Sequence, residues 1–186
     1  MNELVFLLEE HSAEVLLAGL LPRLFPEGIT VRFVVFDGKQ DLEKHLVRRL
    51  RGYRVPGARF VVLRDQDSAD CNMIKNRLLT MCREAGKADA LVRIACHELE
   101  SWYLADLAAV EQALKLNGLA DKQGKKKYRE PDRLANAAEE LAKLTERCYQ
   151  KIGGSRAIGP LLDLANTRSR SFAVFVAGLK RLTTGN

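Results

Sequence analysis

Four short apolar runs, each followed by a segment with helical periodicity, constrain the fold of this chain most. The runs cover residues 4–8, 29–36, 59–64 and 91–95. Branched and aromatic residues dominate them, as is typical of buried strands. The segments 12–25, 40–51 and 69–85 place apolar residues at helical spacing. Strands that alternate with helices join through right-handed crossovers. The sequence therefore predicts an α/β fold with a mostly parallel four-stranded sheet flanked by helices.

From about residue 107 onward the pattern becomes helical. We expect helices over 107–116, from Pro131 to about 150, over 156–164 and over 171–182. Gly153-Gly154-Ser155 is interpreted as the cap of the third helix, and the lysine-rich segment 121–127 as a mobile loop without an apolar anchor. A chain of 186 residues suits one domain with a helical appendage. We therefore divide it into an α/β core, residues 1–106, and a helical extension packed on it, residues 107–186.

Acidic residues follow two of the predicted strands directly. Glu9 comes after the first run, and Asp65 and Asp67 come after the third. Ligands of open α/β sheets bind beyond the carboxyl ends of the strands, so these three side chains meet if the two strands are parallel neighbours. Mg²⁺ prefers oxygen ligands and typically takes one or two carboxylates directly. We predict that these three acids bind Mg²⁺ or Mn²⁺; for any one acid alone, the alternative is a helix cap or a partner of the helix dipole.

Other polar residues extend this hypothesis. Glu98 and Glu100 follow the fourth run and are candidate ligands of a second ion. Lys39, at a strand-to-helix turn, is a candidate phosphate contact. Arg156 is one of several C-terminal basic residues that either track a phosphate backbone or lie on a solvated helical surface. Trp102 is expected to pack in the core rather than to stack on a base.

The balance of charge favours a polyanionic partner. The net charge is +6, and the basic residues concentrate at 44–59, 122–133 and 143–181, around an acidic centre. Such a frame suits a metal-dependent enzyme that acts on phosphodiesters, although a generic basic surface is an equal alternative. Arg93, inside the fourth run, is expected to pair with a buried acid.

Composition excludes several other classes. The four cysteines form no C-x-x-C pair, so a structural zinc site is not expected. No apolar run approaches the roughly 18 residues of a membrane span, and the N-terminus shows no secretory signal. We therefore predict a cytoplasmic protein without a membrane partner.

Five stretches of the chain match the motifs of a known family. They are Glu9-Glu-His-Ser-Ala-Glu14, Gly38-Lys-Gln-Asp-Leu42, Asp65-Gln-Asp-Ser-Ala-Asp-Cys71 with Lys75, Arg93-Ile-Ala-Cys-His-Glu-Leu-Glu-Ser-Trp-Tyr-Leu-Ala-Asp106, and Tyr149-Gln-Lys-Ile-Gly-Gly-Ser-Arg156 with Ser171-Phe172. Together they resemble the DUF4276 family of the Toprim clan over nearly the whole chain. The strand-linked Glu9 and Asp65-x-Asp67 are the general Toprim part, and Glu98-x-Glu100-x-Trp102 is the more distinctive mark.

The resemblance implies a Toprim-like fold and Mg²⁺-dependent cleavage of DNA or RNA in prokaryotic anti-phage defence. Glu9 would then be the general base or a ligand, with Asp65 and Asp67 as ligands. It also implies a separate ABC-type ATPase as partner and leaves a homodimer open.

One residue departs from the Toprim pattern: Glu10 stands where glycine is usual. Its carboxylate either repels a phosphodiester or adds a metal ligand. Two alternatives to a nuclease therefore stay open: a non-catalytic partner subunit of an ATPase, and a metal-dependent nucleotide hydrolase.

Overall fold

A parallel four-stranded sheet forms the centre of the computed structural model, which describes residues 3–25 and 28–184. The strands are β1 (Glu3–Leu8), β2 (Thr30–Val35), β3 (Arg59–Asp65) and β4 (Leu91–Ala95). They lie in the order β2-β1-β3-β4, and each neighbouring pair is parallel. The predicted α/β class with four parallel strands is confirmed.

Helices cover both faces of the sheet. The crossovers contain α1 (His11–Leu20), α2 (Gly38–Gly52) and α3 (Cys71–Glu84). Because side chains alternate along a strand, Phe6 of β1 packs in the same buried cluster as α1, whereas Leu7 packs with α2 and α3. Both faces of β1 are therefore buried, which explains its unbroken apolar run.

Short helices make up most of the rest of the chain. They are α4 (Glu100–Leu104), α5 (Leu107–Leu114), α6 (Lys126–Arg129), α7 (Ala137–Leu144), α8 (Lys151–Ile158) and the longer α9 (Arg170–Thr184), with 3₁₀ turns at Leu21–Arg23, Ala120–Gly124, Pro131–Arg133 and Gly159–Leu161. The helical C-terminal extension is confirmed. Two details differ from expectation: the lysine-rich segment forms a 3₁₀ turn and α6, and the long helix expected after Pro131 is a turn followed by α7.

The glycines of α8 do not cap it. Gly153 and Gly154 lie inside the helix, so the predicted helix start at residue 156 is wrong. A Cβ on Gly154 would lie 2.3 Å from Cδ2 of Tyr149, and one on Gly159 would lie 2.5 Å from the carbonyl oxygen of Leu16. Both contacts are impossibly short for a side chain. These glycines therefore allow α8 to pack closely against α1 and against Tyr149.

One buried cluster contains residues from both the predicted core and the predicted extension. Trp102 packs its ring 5.2 Å from that of Phe172 and 5.0 Å from that of Phe175, both in α9. Its indole Nε1 donates to Oγ of Ser171 at 2.8 Å. The core role predicted for Trp102 is confirmed, and the domain boundary at residue 106 stays a prediction. In the described part of the chain, no helix is both long and apolar enough to cross a membrane.

We expect Phe175→Ala to lower the free energy of unfolding by about 3–5 kcal/mol, because it leaves a cavity against the buried Trp102 ring. Phe175 is fully buried, whereas its neighbour Val174 is 41% exposed. Val174→Ala is therefore the matched control and should change the free energy by less than about 0.5 kcal/mol. Urea unfolding followed by far-ultraviolet circular dichroism measures both. Equal and small losses in the free energy of unfolding of the two variants would show that α9 contributes little to the core.

Candidate functional site

The carboxyl ends of β1 and β3 bring two of the predicted acids together. Leu8 of β1 pairs in register with Leu63 of β3, so Glu9 lies beside the end of β3. One carboxylate oxygen of Glu9, Oε2, accepts the backbone N–H of Asp65 at 3.1 Å. The sheet order changes direction between these strands, because β2 lies on one side of β1 and β3 on the other. Such a switch point is where open α/β sheets bind ligands. We call Glu9, Asp65 and Asp67 the carboxylate rim.

Asp67 is held in place by the loop that follows β4. Its backbone N–H donates to the His97 carbonyl at 2.8 Å, and Nδ1 of His97 donates back to the Asp67 carbonyl at 3.0 Å. Both residues have left-handed backbones, with φ of 55° and 56°, a conformation that costs a non-glycine residue about 1 kcal/mol. The paired hydrogen bonds offset that cost and fix the Asp67 side chain above the sheet.

Lys39 neutralises Asp67. The backbone N–H of Gly38 donates to the Glu9 carbonyl at 2.9 Å, which anchors the start of α2 at the rim. From the next position, Nζ of Lys39 donates to Oδ2 of Asp67 at 2.7 Å, and this hydrogen bond raises the pKa of Lys39. Both side chains are solvent-accessible, so an anion can compete for the lysine.

Asp65 lies in a crowded acidic environment. Burial raises its pKa well above the ordinary value. Repulsion from the carboxylates of Glu100, Glu10 and Glu9 raises that pKa further, while the backbone N–H of Leu99 acts in the opposite direction. A cation near Asp65 would relieve this repulsion.

Burial also raises the pKa of Glu9. The Asp67 charge adds to this effect, whereas the Asp65 amide and Arg64 oppose it. Arg64 is buried, with Nε 3.7 Å from Oε2 of Glu9 and Nη1 donating to Oε1 of Glu43 at 2.5 Å. The sequence reading missed Arg64; the available signal was an arginine inside an otherwise apolar strand, directly before Asp65.

The helical extension supplies the other polar groups around the rim. Oε1 of the buried Glu100 accepts the hydroxyl of Tyr149 at 2.9 Å. Nζ of Lys151, at the start of α8, donates to Oε2 of Glu10 at 2.5 Å. Burial lowers the pKa of Lys151, but this hydrogen bond and the charges of Glu10, Glu100 and Asp65 together outweigh that effect, and the pKa is raised. Neither Tyr149 nor Lys151 was assigned to the rim from sequence, because the contacts span 49 and 141 residues of chain.

Two predicted site residues lie elsewhere. Oε2 of Glu98 accepts the backbone N–H of Ala138 at 2.7 Å, so this carboxylate satisfies the start of α7. Arg156 is exposed on α8 and lines a small cleft with His11 and Glu14 of α1. The structure therefore brings Glu9, Asp65, Asp67, Lys39 and Glu100 together at one edge, and leaves Glu98 and Arg156 outside that group.

No group of three or more histidine, cysteine, aspartate or glutamate side chains within residues 3–25 and 28–184 is arranged to hold a metal ion. The rim nevertheless fits a hard cation in its chemistry, because its candidate ligands are carboxylate oxygens and three neighbouring carboxylates repel Asp65. Asp67 would have to release Lys39 to join such a site.

Comparison with known proteins gives one family and one solved structure. A family model described as "Domain of unknown function (DUF4276)" matches residues 8–180. No curated protein matches the sequence. The C-terminal region of the Xanthomonas campestris pv. campestris OLD protein is similar in structure, with 17% sequence identity, 98% of each chain covered and a TM-score of 0.47.

We expect Asp65→Asn to stabilise the protein at neutral pH. Since the pKa of Asp65 is raised, the folded state binds more protons than the unfolded state above about pH 4, and stability falls as the pH rises through that window. Asparagine removes this loss, so the free energy of unfolding of the variant should exceed that of the wild type at pH 7 and match it near pH 4. Urea unfolding at both pH values measures the difference. Asp121→Asn, at an exposed position, is the control and should change the free energy of unfolding by less than about 0.5 kcal/mol. A destabilised Asp65→Asn at pH 7 would contradict the repulsion.

Proposed function

The chain belongs to the DUF4276 family, and we propose that it is a metal-dependent, Toprim-type nuclease that cleaves nucleic acid phosphodiesters at the carboxylate rim. One observation carries the proposal: Glu9 and Asp65 come from neighbouring parallel strands and touch at the switch point of the sheet. Repulsion from three neighbouring carboxylates acts on Asp65, and a bound cation would relieve it.

Glu9, Asp65 and Asp67 would hold the ion, with Glu100 behind them. When bound, Mg²⁺ or Mn²⁺ neutralises charge that develops on the phosphoryl oxygens and lowers the pKa of a bound water. If Glu9 does not coordinate the ion, it suits the role of general base instead, because burial raises its pKa and a base works best when its pKa approaches the working pH.

The two lysines of the site suit different roles: Lys39 a contact to the scissile phosphate, and Lys151 the neutralisation of Glu10. Lys39 and Lys151 each donate to a carboxylate, Asp67 and Glu10 respectively. In the proposed mechanism a phosphodiester draws Lys39 away and frees Asp67 for the metal. Lys151 stays with Glu10 and cancels the charge that would otherwise repel the substrate. A glutamate at this position, where glycine is usual, is then compatible with phosphodiester binding.

A second candidate is a non-catalytic subunit that docks on a separate ATPase. The observation that favours it is that the structure pairs Asp67 and Glu10 with lysines, so the acids have structural partners. Divalent-ion titration separates the two: ion binding without turnover, with an ATPase partner present, would favour the docking subunit. On resemblance alone, we place either role in prokaryotic anti-phage defence beside an ABC-type ATPase on another chain.

We expect the wild type to cleave at least one of supercoiled plasmid, single-stranded DNA and tRNA in Mg²⁺ or Mn²⁺. Glu9→Gln, Asp65→Asn and Asp67→Asn should each lower the rate by about 100-fold or more, because each removes a ligand or the base. Asp121→Asn is the matched control and should keep the wild-type rate. Mononucleotides run in parallel test for a nucleotide hydrolase.

Binding of the ion is measured separately from cleavage. Saturating Mg²⁺ should raise the melting temperature of the wild type, since a ligand of the folded state stabilises it, and should have little effect on Asp65→Asn. No cleavage and no thermal shift in either metal would exclude the nuclease.

A further inference from the structure

A large cleft lies beside the carboxylate rim, along β4. Its volume is about 840 Å³, and its walls include the first turns of α3 and α9. Cys96 lines it and directly follows Ala95, which pairs in register with Asp65. Cys71, the first residue of α3, lines it from the other side of the Asp67 loop. The cleft therefore reaches the same end of the sheet as the rim, although no rim residue lines it, and we call it the basic cleft.

Cationic side chains dominate the lining of the basic cleft. They are Lys75, Arg93, Arg129, Arg133, Arg168 and Arg170. The two acids of the lining already have partners: Glu130 pairs with Arg133 at 2.7 Å, and Asp132 accepts the Ser171 backbone N–H at 2.7 Å and the Ser169 hydroxyl at 2.6 Å. The lining therefore carries an excess of positive charge.

Much of this positive charge has no acidic partner. In the described part of the chain, no carboxylate lies within ion-pairing distance of Lys75, Arg168 or Arg170. Arg93 does not pair with a buried acid either, so that expectation is wrong: it donates to the carbonyls of Val174 at 3.2 Å and Val92 at 2.8 Å. Burial and the nearby Arg181 lower the pKa of Arg93, as expected where cations crowd.

The helix termini and thiols around the basic cleft leave its positive charge in excess. The N-termini of α3 and α9 both line it, and Asp70 and Asp132 already accept backbone N–H groups there, so the excess charge comes from the basic side chains. Burial raises the pKa of the Cys71 thiol, and it raises the pKa of the Cys96 thiol to about 11. Both thiols are therefore protonated and uncharged at neutral pH, and they add no negative charge to the lining.

We propose that the basic cleft binds the phosphate backbone of the nucleic acid strand whose neighbouring phosphodiester lies at the carboxylate rim. This inference rests on the proposed nuclease function and names its substrate-binding surface. Its volume lies within the roughly 300–1,000 Å³ of ligand-sized sites, and arginines suit phosphate because they donate two parallel hydrogen bonds. Phosphates of a free nucleotide share this chemistry, so the test separates the two sources.

The test measures binding without cleavage. A fluorescent single-stranded oligonucleotide is titrated with the full chain in EDTA over a range of salt concentrations, and anisotropy gives the affinity. The cleft variant combines Arg133→Gln, Arg168→Gln and Arg170→Gln, three exposed side chains. The control combines Arg48→Gln, Arg49→Gln and Arg54→Gln, equally exposed on and after α2. Both variants lose the same charge, and circular dichroism checks their folding.

We expect the cleft variant to bind at least about tenfold more weakly and to lower the slope of log affinity against log salt by about 2, because each neutralised phosphate of a single strand contributes roughly 0.7. The control should keep the wild-type slope. Equal losses in the two variants, or no loss in either, would overturn the proposal. Adenosine monophosphate and pyrophosphate are tested as competitors. If they displaced the labelled strand at the same concentrations as the unlabelled oligonucleotide does, the proposal would also be overturned.

Binding and cleavage are measured side by side, with the rim variant Asp65→Asn as the reference that lacks cleavage, so that the cleft and the nuclease can fail separately. Cleft-dependent binding by a protein that cleaves nothing would leave the basic cleft standing and remove the nuclease. Cleavage that survives in the cleft variant with unchanged affinity would remove the cleft alone.

Discussion

The parallel pairing of β1 with β3 is the constraint on which the whole site depends. With Leu8 opposite Leu63, Glu9 meets the backbone of Asp65. A shift of register by one residue would turn the side chains of the strand to the opposite face, and both faces of β1 are buried in well-filled clusters. The hydrophobic packing that fixes the register therefore also fixes the acids, although none of the packed residues belongs to the rim.

The helical extension is part of the site rather than an appendage. Tyr149 donates to Glu100, and Lys151 donates to Glu10, so the extension provides a hydrogen bond and a charge that the sheet lacks. Lys39 provides the matching charge from the other side of the rim. The acidic centre is thus stabilised by contacts from distant parts of the chain, and loss of the extension would leave buried carboxylates without partners, a costly state.

The sequence allowed prediction of features that depend on local pattern. Apolar runs predicted the four strands, and acids directly after two of them predicted Glu9 beside Asp65. The extension was harder because its structure depends on tertiary contacts. Gly154 is typical of a helix cap, but it lies inside α8, where Tyr149 leaves no space for a side chain. Glu98 was predicted as a rim ligand, but it accepts the amide of Ala138, forty residues away. No local pattern encodes that second contact.

The single tryptophan of the chain connects the buried core to the basic cleft. Its indole N–H donates to the hydroxyl of Ser171, and that serine lines the cleft and approaches Asp132. A phosphate that enters the cleft and engages Ser171 would change the polarity at the indole nitrogen. Occupancy of the cleft should therefore shift the intrinsic tryptophan fluorescence of the protein, without any label on protein or ligand.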